Sequence, residues 1–103
     1  MALEYVYLVR KEIAAKDGAP VYKVGRTSGD PWNRVSSYGK CEVVVVWKVP
    51  DSKATEKILL KEFRLKFQSV KTFGNPREDF AGDVEEMKKM FVSIVLKPLP
   101  MMT

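Results

Sequence analysis

Apolar and β-branched positions dominate Leu3–Arg10, LEYVYLVR, and predict a first strand. At the strand period Tyr5, Tyr7 and Val9 share one face and Val6 and Leu8 the other, so both faces are expected to be partly covered. Lys11–Pro20 reads as a connection centred on Asp17-Gly18, a turn dipeptide, and is long enough to extend the flanking strands. Val21–Arg26 predicts a second strand, antiparallel to the first, which brings Tyr7 near Tyr22–Gly25. Asp30-Pro31 is a helix start, because aspartate caps and proline loses nothing at the first helical position. The helix is expected over Asp30–Tyr38 with Trp32, Val35 and Ser36 inward, and Gly39 terminates it. Cys41–Val49, CEVVVVWKV, predicts a third strand, and its valine run suggests burial on both faces.

Ser52 can cap a second helix reaching about Phe67, with Leu59, Leu60, Phe63 and Phe67 on one face. Glu56 falls in the middle of that apolar arc. A carboxylate there is costly unless it is paired or binds a metal; the alternative is that it lies on the first turn, favours the helix dipole and reaches solvent. Gln68–Gly82 reads as a loop, with Glu78-Asp79-Phe80 as an anchor that tucks the ring in and leaves the acids out. A third helix begins at Asp83, with Glu86 as capping partner and Val84, Met87, Met90, Phe91, Ile94 and Val95 as its apolar face; Lys97-Pro98 stops it. The expected fold is α+β: a small three-stranded, largely antiparallel sheet flanked by about three helices, in the order strand, strand, helix, strand, helix, helix. Residues 1–97 are expected to form one domain and 98–103 a loose tail.

Composition narrows the chemistry. A net charge of +5 is compatible with nucleic acid or another polyanion but equally with plain solubility. There is no histidine, so histidine-ligated zinc, the serine–histidine triad and histidine bases are excluded. The single cysteine, Cys41, excludes an internal disulfide and suggests a reducing, intracellular compartment, cytoplasmic or nuclear; Cys41 itself reads as an apolar packer. The N-terminal stretch lacks a signal-peptide core, and the longest apolar run, Val43–Trp47, is too short to span a membrane.

Tyr5, Tyr7, Tyr22, Lys23, Arg26, Arg34, Tyr38 and Glu56 are the polar residues whose positions need explaining. Such a set can bind and cleave a phosphodiester. A carboxylate with waters can hold Mg²⁺, an arginine can neutralise phosphate oxygens, and a tyrosine beside a cation, its pKa lowered, can activate water. Taken singly, each tyrosine reads better as amphipathic edge packing.

Tyr5-Val6-Tyr7, Lys23-Val24-Gly25-Arg26-Thr27, Arg34 and Glu56, in that order, resemble the GIY-YIG endonuclease superfamily, in its short phage- and large-DNA-virus-type branch. The resemblance runs from about Tyr5 to Phe80, whose Glu78-Asp79-Phe80 resembles the acidic–aromatic element ending that branch. It implies a nuclease domain over 1–97 that hydrolyses DNA with Mg²⁺ or Mn²⁺ on Glu56. It implies Tyr7, Tyr22, Lys23, Arg34 and Glu56 as catalytic residues, with the base left between Tyr7 and Tyr22, and Arg26, Thr27, Tyr38 and Lys40 as substrate-binding residues. Two departures, Tyr5 in place of a glycine and Lys23 in place of a tyrosine, keep open an inactive nucleic-acid-binding or protein-interaction module of the same fold. A domain this short leaves little room for a separate sequence-reading module, so it would cut with low specificity, read structure, dimerise or be guided by a partner protein.

Overall fold

The computed structural model describes residues 3–97, so the expected tail at 98–103 lies outside the described residues. The elements are β1 (Glu4–Arg10), α1 (Glu12–Lys16), β2 (Val21–Ser28), α2 (Pro31–Ser36), β3 (Glu42–Val49), α3 (Ser52–Lys66), β4 (Gln68–Ser69), β5 (Asp79–Ala81) and α4 (Val84–Leu96). The fold is α+β, as expected, but among the described residues the sheet has five strands rather than three, in the order β3-β1-β2-β5-β4, and there are four helices rather than three. All its pairings are antiparallel. The additions were hidden by length: β4 and β5 have two and three residues, too few to show a period, and α1 is a single turn. Asp17-Gly18 ends α1 instead of turning a hairpin, with Gly18 at φ 69°.

Helices cover both faces of the central β1–β2 pair. Val6, Leu8, Tyr22 and Val24 meet Leu59, Phe63 and Phe67 of α3 and its C-terminal cap, Met87 and Phe91 of α4, and Phe80 of β5. On the opposite face Tyr7 and Val9 pack under Val35, with Tyr38, Cys41 and Val46 around them. The doubly covered strand is therefore β1. The expectation of a doubly buried β3 is corrected: it is an edge strand, and Glu42, Val43 and Lys48 are exposed. A valine run reports strand propensity, not position in the sheet. The inward face of α2 is Pro31 and Val35; Trp32 is 57% exposed and Ser36 is also exposed, because a helix this short touches the sheet along one narrow line.

Two polar anchors fix the ends of elements near the sheet. Asp51, not Ser52, is the N-cap of α3, its carboxylate accepting from Ala54 N at 3.1 Å. Ser52 is buried one position later and donates to Glu4 Oε1 from its hydroxyl at 2.6 Å and its amide at 2.8 Å. These bonds hold the Glu4 carboxyl below its ordinary range. The second anchor is Asp79, expected to face outward but fully buried. Lys11 Nζ pairs with Asp79 Oδ2 at 3.0 Å and donates to Phe73 O, while Asn75 N donates to the same carboxylate at 3.1 Å. One lysine thus ties the 70–79 loop to the end of β1.

Removing one partner of a buried ion pair strands the other, so Asp79→Ala should cost about 3–5 kcal/mol in urea unfolding. Glu4 should act with the opposite pH signature to a raised group. Its folded pKa is depressed, so its stabilisation is present above the unfolded carboxyl pKa and is lost as pH falls through the folded one. The melting midpoint of Glu4→Gln should lie below that of the parent protein at pH 7, and the gap should close on acidification.

Candidate active site

The site begins with a mismatch in strand length. β5 pairs only with Val21–Lys23 of β2, and the last bond across is Val24 N to Glu78 O at 2.9 Å. Among the described residues nothing pairs with the outer edge of β2 beyond that point. Side chains from both faces of the sheet reach this open edge: Arg34 and Tyr38 from around α2, Glu56 from α3. They line a polar cleft of about 390 Å³ together with Tyr7, Gly25, Arg26, Thr27, Ser28 and Glu78.

Tyr7 forms the floor. It is fully buried, and Gly25 lies directly across from it on β2. A Cβ at residue 25 would collide with the phenol ring and its oxygen, so glycine is required by close approach. The Tyr7 and Tyr38 hydroxyls share a hydrogen bond of 2.9 Å. Burial, then the Tyr38 hydroxyl, push the Tyr7 phenol well above its ordinary pKa, and the nearby Arg34 offsets this only in part. The expectation of a tyrosine acidified by a neighbouring cation is corrected for Tyr7, because burial outweighs the cation.

Arg34 projects from the last turn of α2, with its guanidinium 5.7 Å from the centre of the Tyr38 ring. Contact with the Tyr7 phenol, then the Tyr38 hydroxyl, hold Arg34 above its ordinary value. Lys23 is buried beneath the cleft, bonded to Glu78, with its ammonium 5.2 Å from the Tyr38 ring centre. The Tyr38 ring is thus contacted by two cations.

Glu56 is half-buried, and of the two readings its periodicity allowed, the partnered one fits. Arg26 Nε lies 3.8 Å from Glu56 Oε1, and Arg26 also reaches Ser52 Oγ at 3.5 Å. Burial is the main cause that raises the Glu56 pKa, the Glu78 charge adds to it, and Arg26, Lys23 and Arg34 oppose. Among the described residues no three carboxylate or thiol groups converge as a metal cage. Mg²⁺ needs none, since one or two carboxylates with waters suffice.

Of the nine residues singled out, Tyr7, Arg26, Thr27, Arg34, Tyr38 and Glu56 line the cleft and Lys23 underlies it. Tyr22 does not belong: strand alternation turns it to the other face, where it is 8% exposed in the α3-side core with Arg10 over its ring at 5.7 Å. Lys40 does not belong either; it is exposed after Gly39, and its amide approaches Glu12 Oε2 at 3.4 Å. The residue missed is Glu78. Its signal was Lys23, since a lysine on an inward strand position needs a carboxylate nearby. Cys41 packs as expected, half-buried with Sγ 3.5 Å from Val35 O, and burial pushes its thiol up.

The family model described as the T5orf172 domain matches residues 4–95, from the first residue of β1 to one short of the end of α4. No curated protein and no solved structure gives a significant match.

Gly25→Ala is expected to push Tyr7 off the floor of the cleft. The variant should lose about 1–3 kcal/mol in denaturant unfolding, and paired Tyr7→Phe should not restore it, because the ring carbons collide as well as the hydroxyl. Equal stability of Gly25→Ala and the parent chain would refute the close approach.

Proposed function

This chain belongs to the T5orf172 domain family, a GIY-YIG-like, nuclease-type domain, and from that premise we propose that its cleft binds a DNA phosphodiester and hydrolyses it with Mg²⁺ or Mn²⁺. The observation that carries this reading is the convergence of Arg34, Glu56 and the Tyr7–Tyr38 pair on one polar cleft.

Arg34 is surrounded by hydroxyls and makes no carboxylate ion pair among the described residues, so its charge is free for the non-bridging oxygens of a phosphate. Arg26 and Thr27 on the open β2 edge would take the neighbouring backbone oxygens. Glu56 would hold the cation. Burial and the Glu78 charge outweigh the neighbouring cations at its half-buried carboxylate, so the donor set fits a hard divalent ion. Such an ion supplies stabilisation of charge on phosphorus and on the leaving oxygen.

Tyr7 keeps its proton at neutral pH, so its oxygen would orient the attacking water without removing the water's proton. Tyr38, the more open hydroxyl of the pair, leads from Tyr7 towards solvent. Lys23 holds Glu78 and the Tyr38 ring and acts from beneath the cleft as a positioning residue. A held proton on Tyr7 is also the feature that favours the second reading, a module that binds nucleic acid without cutting it.

Glu56→Ala should reduce Mg²⁺- or Mn²⁺-dependent nicking of plasmid DNA by more than ~100-fold. Circular dichroism and low-salt DNA binding should stay unchanged. Arg34→Ala should weaken both cleavage and binding. Undiminished nicking by Glu56→Ala removes that residue from the reaction, and salt-sensitive DNA binding by the parent chain with no cleavage under either cation selects the binding module.

A further inference from the structure

Helix α3 carries a charge pattern that its own stability does not explain. Every exposed charged residue on it is a cation: Lys53, Lys57, Lys61, Arg64 and Lys66. Its two acids, Glu56 and Glu62, are partly buried. On α4, by contrast, the exposed charges have both signs, Glu85 and Glu86 standing ahead of Lys88 and Lys89. Lys53, Lys57 and Lys61 are spaced four apart, so successive ammonium groups stack along the helix and repel, at a spacing where lysine and glutamate would attract. Neither these three nor Arg64 makes an ion pair among the described residues. Folding gains nothing from that repulsion.

Where the cations point matters as much as their sign. At 3.6 residues per turn Lys53, Arg64, Lys57 and Lys61 fall within an arc of about 80°, and Glu56, which lines the cleft, lies about 60° beyond one side of it. The opposite flank of α3 faces α4, because Glu62 and Lys66 line a groove together with Met90 and Ile94. The stripe is therefore turned towards the cleft flank. It begins level with Glu56, between Lys53 and Lys57, and runs about 17 Å along the axis to Arg64. Over that length one strand of duplex DNA carries about five phosphates, a charge density that four cations nearly match. Ile58 and Leu65, the exposed large apolar residues of α3, lie beyond Lys61 towards α4 and outside the stripe. Charge without an apolar anchor suits a phosphate backbone and not a lipid surface. We propose that Lys53, Lys57, Lys61 and Arg64 form a track for the phosphate backbone of duplex DNA, leading from the cleft along α3. The choice of partner rests on the reading of the cleft as a phosphodiester site; the track itself needs no cleavage. Its contacts would go to phosphate and carry no base sequence.

The test is fluorescence anisotropy of a short labelled DNA duplex in EDTA, where no metal-dependent cutting occurs, titrated with the intact chain at several salt concentrations. Lys57→Gln combined with Lys61→Gln should flatten the slope of log affinity against log salt by about 1.8, one counterion step for each lysine. The same double variant relieves the repulsion along α3, so its melting midpoint should not fall. Lys88→Gln combined with Lys89→Gln, an equal loss of charge on α4, should keep the parent slope. A stripe variant with the parent slope, or an α4 variant with an equal loss, overturns the track. So does a parent chain that fails to bind the duplex, or that binds phosphatidylserine vesicles in its place. A parent chain that binds through the stripe but nicks no plasmid with Mg²⁺ or Mn²⁺ leaves the track standing and removes the cleavage reading. Plasmid nicking by a parent chain whose stripe variant keeps the full slope does the reverse.

Discussion

Tyr7 can lie fully buried at the floor of the cleft only because the residue across from it on β2 has no side chain. Everything else in the site is built on that contact. The phenol reaches over Gly25 to meet Tyr38, and Arg34 lies beside the Tyr7 hydroxyl and the Tyr38 ring. Filling the space over Gly25 would lift the first of these groups and displace the rest in turn. The two strands are held in register by ladder bonds along their length, so the relation of Tyr7 to Gly25 is as rigid as anything in the molecule.

Electrostatics layer onto this frame. The cleft holds two carboxylates and two arginines, with a third cation, Lys23, beneath. Each acid makes one ion pair: Glu56 with Arg26, Glu78 with Lys23. Arg34 is the cation left to hydroxyl groups, which is why it suits an incoming anion. The sheet contributes by stopping early on one side. Had β5 continued past Lys23, the edge on which these groups meet would be occupied by backbone.

Local pattern carried the long elements. β1, β2, α3 and α4 were legible because each repeats its period several times, and Asp30-Pro31 and Asp83 were legible because capping is a one-residue signal. The antiparallel pairing of the first two strands placed Tyr7 near Tyr22–Gly25 in advance, and the register then sets it opposite Gly25. What pattern could not supply was position in the sheet. Val43–Val46 read as interior and proved to be edge, because which strands lie beside β3 depends on residues far away in sequence. Tyr22 and Lys23 are adjacent in β2, yet the strand sends them to opposite faces, so only one of them can belong to the cleft. Asp79 and Glu78 reversed the expected pattern for the same reason: each is held by a lysine more than fifty residues earlier in the chain, and nothing nearby announces the partner.

The helix that carries Arg34 has six residues, and a segment of that length does not persist on its own in water. Its order is borrowed from the Asp30 cap and from two side chains, Pro31 and Val35, seated on the sheet. The strands beneath are cross-linked by a full ladder and by the larger core on their far side. Amide exchange would therefore be fastest at α2 among the elements of the cleft, through a local opening that leaves the scaffold closed. The Arg34 guanidinium is thus mounted on the least cooperative element of the cleft, and an anion bridging it to the sheet would slow that exchange.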